Sequence, residues 1–148
     1  MHWNGFMKLT RASDYAVRGV VYVAMQPPGS IVVIPEVARE MDVPVGFLAR
    51  IFQSLSRSGI VISHRGKKGG YSLARKPDEV TLCDVVEAVE GDIRLNICLD
   101  GYEACNRMAV CPIRKELAKV QEVLIESLGK TNFADLAARE LEHRRQRE

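Results

Sequence analysis

VPVGFLARIFQSLSRSGIVISHRGKKGGYSLARKP, residues 43–77, contains no Asp or Glu, yet carries Arg50, Arg57, Arg65, Lys67, Lys68, Arg75 and Lys76. The chain as a whole has 21 Lys and Arg against 19 Asp and Glu. Without those seven, 14 basic residues face 19 acidic ones, so a positive segment sits on an acidic body. A surface that neutralises phosphates and releases their counterions needs this asymmetry, whereas an ordinary solvated face mixes both signs. The local pattern is equally specific. Val45 to Ser58 reads as a helix with Phe47, Leu48, Ile51, Phe52 and Leu55 inward and Gly46, Ala49, Arg50, Gln53, Ser54 and Arg57 outward. Gly59 ends it, Ile60–Ile62 reads as a strand, residues 66–70 as a glycine-rich hairpin tip, and Tyr71–Leu73 as the returning strand.

Upstream, Ser13 is the expected N-cap of a helix to Met25, ended by Pro27-Pro28-Gly29. Ile31–Ile34 is β-branched and strand-like, and Pro35 suits the first position of a short helix over Glu36–Met41. Helix, turn, helix and hairpin is the order of a winged helix-turn-helix. Downstream, Thr81 and Asp84 stand at capping-box spacing before a helix to Glu90, with Leu82, Val85, Val86 and Val89 inward. Gly91 to Cys111 has no period. A long helix from Pro112 to Leu128 follows, with a narrow stripe of Ile113, Leu117, Val120, Leu124 and Leu128 that fits a seam between two subunits. Thr131 and Asn132 cap a last helix over Asp135–Leu141, ending in the charged tail His143–Glu148. The fold class is therefore mostly α with a small β-wing. Its divisions are an extension at 1–6 (Met7 being an alternative start), a DNA-binding unit at 7–90, a loop at 91–111 and a dimerisation helix with a C-terminal helix and tail at 112–148.

On the outward face, Arg50 and Gln53 suit two-point contacts with guanine and adenine, and Ala49 a thymine methyl. Arg65, Lys67 and Lys68 suit phosphates or an adjacent minor groove. Double-stranded DNA with a near-palindromic site, read by a homodimer, is the implied partner. Apolar runs fall short of the roughly 20 residues needed to span a bilayer, and residues 1–6 lack signal-peptide character, so a cytoplasmic, membrane-free protein is expected.

Cys98, Cys105 and Cys111 crowd the unpatterned loop, separated by six and five residues. Thiolates suit iron–sulfur clusters or zinc, but these gaps do not match tight zinc knuckles. A cluster, zinc, reactive thiols and inert cysteines all remain open on spacing alone. Cys83, in an apolar helix, reads as a buried packing residue. No nucleophile–base pair, phosphate loop or paired acids suggests an enzyme.

Met7-Lys8-Leu9-Thr10, the Val45–Ser58 helix, the His64–Tyr71 wing and the three-cysteine loop together resemble the IscR/NsrR/CymR-type winged-helix regulators (the Rrf-two family) from Met7 to about Leu136. The Arg-Gly-x-x-Gly-Gly-Tyr wing is the most specific motif. The resemblance implies a homodimeric regulator of transcription, a repressor in the first instance, whose loop carries an iron–sulfur cluster, four-iron rather than two-iron, sensing nitric oxide, redox or iron–sulfur status. The first cysteine gap is one residue longer than in the best-known cluster-binding members. Arg114 stands where IscR-like members place a histidine ligand, and a charged Arg cannot ligate. NsrR-like members use an aspartate matched by Asp14, offered across the dimer; Asp14 also stands four residues before Arg18, an ordinary helical ion pair. His64 belongs to the wing and the DNA side. The alternatives are a cluster-free relative controlled by thiol oxidation or a protein partner, and, in a different class, an iron–sulfur carrier or assembly factor.

Overall fold

A computed structural model describes residues 9–99 and 105–148; the expected extension at 1–6, with Met7 and Lys8, lies outside them. Helix α1 runs from Arg11 to Met25. Its N-cap is Thr10, not Ser13: the Thr10 hydroxyl accepts from the Ser13 N–H at 3.2 Å. Ser13 is instead buried in the first turn and donates its hydroxyl to Glu90, 77 positions further along the chain.

Helix α2 (Ile34–Glu40) and helix α3 (Val45–Arg57) follow. The strand-like run at Ile31–Ile34 contributes one bridge rather than a strand, because α2 already begins at Ile34, one residue before the expected Pro35. Val32 and Tyr71 exchange backbone hydrogen bonds at 2.8 Å each way. Gly70 makes that approach possible, since a Cβ there would lie 2.2 Å from the Val32 carbonyl oxygen. Strands β1 (Val61–His64) and β2 (Gly70–Leu73) form the antiparallel hairpin, with Val61 opposite Leu73 and His64 opposite Gly70. Gly59, at φ +72°, turns the chain out of α3 into β1.

The core lies between α1, α3 and the elements that return to them. Leu48, Ile51, Phe52 and Leu55 of α3 are buried as their spacing predicts. Phe47 is not: it is half exposed, because it stands at the edge of the apolar arc rather than within it. Gly19 of α1 lets α3 come close, since an added Cβ would sit 2.6 Å from a ring carbon of Phe52. Tyr71 packs edge-on against Phe52 at 5.1 Å, fastening the hairpin to α3.

Helix α4 (Leu82–Glu90) opens with the expected capping box: Asp84 N–H donates to the Thr81 hydroxyl at 3.2 Å, and Thr81 N–H to the Asp84 carboxylate at 3.0 Å. After the loop come α5 (Pro112–Lys130) and α6 (Phe133–Arg147), the latter longer than its pattern suggested and absorbing most of the charged tail. Asn132 caps α6 as expected. Helix α6 returns to the start of the chain. Phe133 is fully buried, and its N–H donates to the Val80 carbonyl at 3.0 Å, beside the Leu82 N–H to Thr131 carbonyl bond at 2.9 Å. Helix α5, by contrast, buries none of its residues: Ile113 and Val120 are exposed, and Leu117, Leu124 and Leu128 half-buried.

Candidate nucleic-acid interface and cysteine loop

The amphipathic pattern of α3 sends its polar arc outward once Leu48, Ile51, Phe52 and Leu55 are buried. Gly46, Arg50, Gln53 and Arg57 are exposed, and Ala49 and Ser54 half-buried. At the hairpin tip Arg65, Lys67 and Lys68 are exposed. Among the described residues, no carboxylate pairs with Arg50, Arg57, Arg65, Lys67 or Lys68. Their charge therefore stands open to solvent. Among the described residues Arg75 alone of the basic segment meets an acid, Asp84, at 3.4 Å. His64 faces Ser72 across the hairpin, ring nitrogen to hydroxyl at 2.8 Å, and so braces the wing.

The turn between α2 and α3 is held from two sides. Arg18 of α1 donates to the Met41 and Asp42 carbonyls at 3.4 Å each, while Asp42 takes a positive φ of 53°. Arg144 of α6 reaches the Glu40 carbonyl at 3.5 Å and the Met41 sulfur at 3.4 Å. The other terminal nitrogen of the Arg18 guanidinium pairs with Asp14 at 2.7 Å, the helical ion pair expected from the four-residue spacing. Asp14 lies in an open groove lined also by Arg11, Tyr15 and Asp42. Sequence reasoning missed Arg144 and Glu90. Glu90 Oε1 accepts from the Thr10 N–H at 3.0 Å, the Thr10 hydroxyl at 2.5 Å and the Ser13 hydroxyl, tying the end of α4 to the start of α1. Partial burial pushes the Glu90 carboxyl up, but the bonds from Ser13 and Thr10 outweigh it, and the net result lies below the usual range.

The loop after Gly91 is fastened to α5 at its near end. Leu95 N–H donates to the Gln121 side-chain carbonyl at 2.9 Å, and Arg114 Nε donates to the Cys98 carbonyl at 3.1 Å. Arg114 thus holds the backbone of a cysteine, which its sequence position alone did not suggest. Cys111 is the residue immediately before α5. Cys98, Cys105 and Cys111 are free thiols, each half-buried. Among the described residues no three His, Cys, Asp or Glu side chains gather into a metal-holding group. Cys83 is half-buried rather than buried; burial first, then the nearby Glu87, raises its thiol pKa and keeps it protonated. No helix among the described residues is long and apolar enough to cross a membrane.

Residues 9–139 match the family described as Rrf2, iron-dependent transcriptional regulator. The protein aau3 of Rhizobium meliloti (strain 1021) is 35% identical over 131 residues, covering 88% of this chain and 84% of that protein. Among solved structures, CymR of B. subtilis, the global cysteine regulator, superposes with a TM-score of 0.73 at 24% identity, over 90% of this chain and 98% of that one. IscR of T. potens gives 0.73 at 22% identity, over 90% and 88%.

Proposed function

Because the chain belongs to the Rrf2 family of transcriptional regulators, we propose that it acts as a homodimeric repressor on a near-palindromic DNA site, under the control of its cysteine loop. The unpaired, acid-free basic face of α3 and the hairpin carries this reading. Arg50 and Gln53 address base edges in the major groove; Arg57, Arg65, Lys67 and Lys68 address phosphates. Gly46, Ala49 and Ser54 leave room for close approach. The exposed stripe of α5, Ile113 and Val120 with Leu117, Leu124 and Leu128 beside them, is the surface for the second copy.

The family description names iron, and the donor set suits it: three free thiols on one loop. Cys98, Cys105 and Cys111 are the residues to hold an iron–sulfur cluster, four-iron being the form that three thiolates and one outside ligand complete. Asp14 of the partner subunit is the candidate outside ligand. When bound, the cluster supplies a centre that reacts with nitric oxide and oxidants. This chain's own residues pass its presence on. Arg114 and Gln121 link the loop to α5, Glu90 links the end of α4 to α1, and Arg18 links Asp14 to the turn before α3. A ligand at the loop changes DNA affinity only to the extent that it favours one arrangement of these links over another.

A second reading is favoured by one observation, that the three thiols do not converge among the described residues. In it they are oxidised directly or answer to a protein partner. Purification without oxygen, followed by visible absorption and iron and sulfide assays, separates the two. A brown protein with matching iron and sulfide, absent in Cys105→Ala, together with different DNA affinities of loaded and cluster-free protein, supports cluster control. A colourless protein whose DNA affinity changes on thiol oxidation supports the second reading. A protein that selects no sequence from random duplexes removes the DNA-binding reading itself.

A further inference from the structure

Phe47 has the spacing of a core residue, yet it is 50% exposed at the first turn of α3. It stands three positions before Arg50, which places it roughly 60° around the helix from that side chain, on the flank of the outward arc. The Arg50 guanidinium lies over its ring, 5.0 Å from the centroid. Tyr15 of α1, itself buried, meets the same ring in an edge arrangement with centroids 6.2 Å apart. The ring is therefore held between a buried tyrosine and an exposed arginine that has no carboxylate partner among the described residues. Such stacking leaves the in-plane N–H donors of Arg50 available, because a planar guanidinium can lie on an aromatic face and still donate from its edge.

Resting on the placement of α3 in the major groove, we propose that Phe47 and Arg50 form one reading unit for a guanine next to a thymine. Arg50 donates to guanine O6 and N7, and the exposed edge of Phe47 packs on the C5-methyl of the adjacent thymine. The choice of base follows from chemistry. In the major groove only thymine presents an apolar group; cytosine presents an amine, and the purines present polar N7, O6 or N6 positions. A phenyl edge pressed against any of those would strip water from a polar atom and give no hydrogen bond in return. The stack also holds the arginine in place, so the two contacts are made together.

The test begins with duplexes selected from a random pool by the full-length protein. Each thymine of the selected half-site is then replaced singly by deoxyuridine, which removes only the methyl group. One thymine, adjacent to a guanine, should weaken binding roughly three- to fivefold when demethylated, the change expected for uncovering one methyl-sized contact. In Phe47→Ala that sensitivity should vanish and the thymine preference relax, while the guanine preference persists; Arg50→Ala should relax the guanine. If no thymine is sensitive in the wild-type protein, or if the sensitivity survives Phe47→Ala, the pairing is wrong although the protein still binds DNA. The wild-type scan needs no variant, so a scan without a sensitive thymine overturns the pairing even where Phe47→Ala fails to fold; where one is found, its survival in Ala49→Gly sets aside the neighbouring alanine as the contact, and its loss there overturns the pairing. Failure to select any sequence would overturn the DNA-binding reading on which this unit rests.

Discussion

Replacing Glu90 with Ala removes one acceptor that serves three donors at the start of α1. Thr10 is exposed, and water can take over both of its bonds at little cost. Ser13 is fully buried, so its hydroxyl would lose its partner without gaining water. A stranded buried hydroxyl costs about 1–3 kcal/mol, and the exposed carboxylate's charge adds little beyond that. We expect Glu90→Ala to lose about 2 kcal/mol at neutral pH. The sign of the pH dependence follows from the lowered carboxyl. A carboxyl whose folded value lies below its unfolded one stabilises the protein above the unfolded value, about 4.3 for Glu. That contribution is lost as pH falls through the folded value. Urea unfolding from pH 8 to 3 should show a constant gap between wild type and Glu90→Ala down to about pH 5, narrowing at lower pH. Glu90→Gln, which keeps a neutral acceptor, should lie between them and show no such narrowing. Equal midpoints at pH 7, or a gap that grows in acid, would refute this account.

Gly19→Ala forces a methyl group against the buried Phe52 ring; overpacking costs about 1–3 kcal/mol, partly offset by better helix propensity, so a net loss in urea midpoint is expected. Phe133→Ala empties a fully buried site and should cost about 3–5 kcal/mol, with DNA binding lost alongside stability because α6 packs on α1. Lys67→Ala combined with Lys68→Ala should weaken binding uniformly across sequences and make log Kd against log salt shallower by about 2, while leaving the selected sequence unchanged. A change of sequence preference in that variant would place the hairpin tip on bases instead of phosphates.

Local chemistry made most of these elements legible. Thr81 with Asp84, Gly59 and the 3.6-residue pattern of α3 each act within a turn or two of chain, and each formed where expected. The misreadings share a different cause. Ser13 has the chemistry of an N-cap, but its partner is Glu90, distant in sequence, and Thr10 competes for the cap from three residues earlier. Phe47 is apolar and correctly spaced for the core, but an amphipathic arc has an edge, and hydrophobicity does not say on which side of it a residue falls. Ile31–Ile34 has strand propensity, overridden by the helix that begins at Ile34 with Pro35 in its first turn. At the candidate interface the basic residues were legible because charge stays exposed by default. The links at Arg18 and Arg114 were not, since each ends on a backbone carbonyl that carries no side-chain signature, and the link from Arg144 to Glu40 and Met41 joins residues about a hundred positions apart.

The return of α6 to α1 sets an order for synthesis. A chain translated only as far as Glu90 contains the helix-turn-helix and the hairpin but lacks Phe133, a fully buried member of the same core. The 43 positions from there to Phe133 take the ribosome roughly 2–9 s at about 5–20 residues per second. During that interval the N-terminal unit waits with apolar surface open, and closure depends on a contact between α1 and α6, far apart in sequence and so slow to form. A chain in which Phe133 has not yet been made is thus expected to carry the α3 face on an incomplete core.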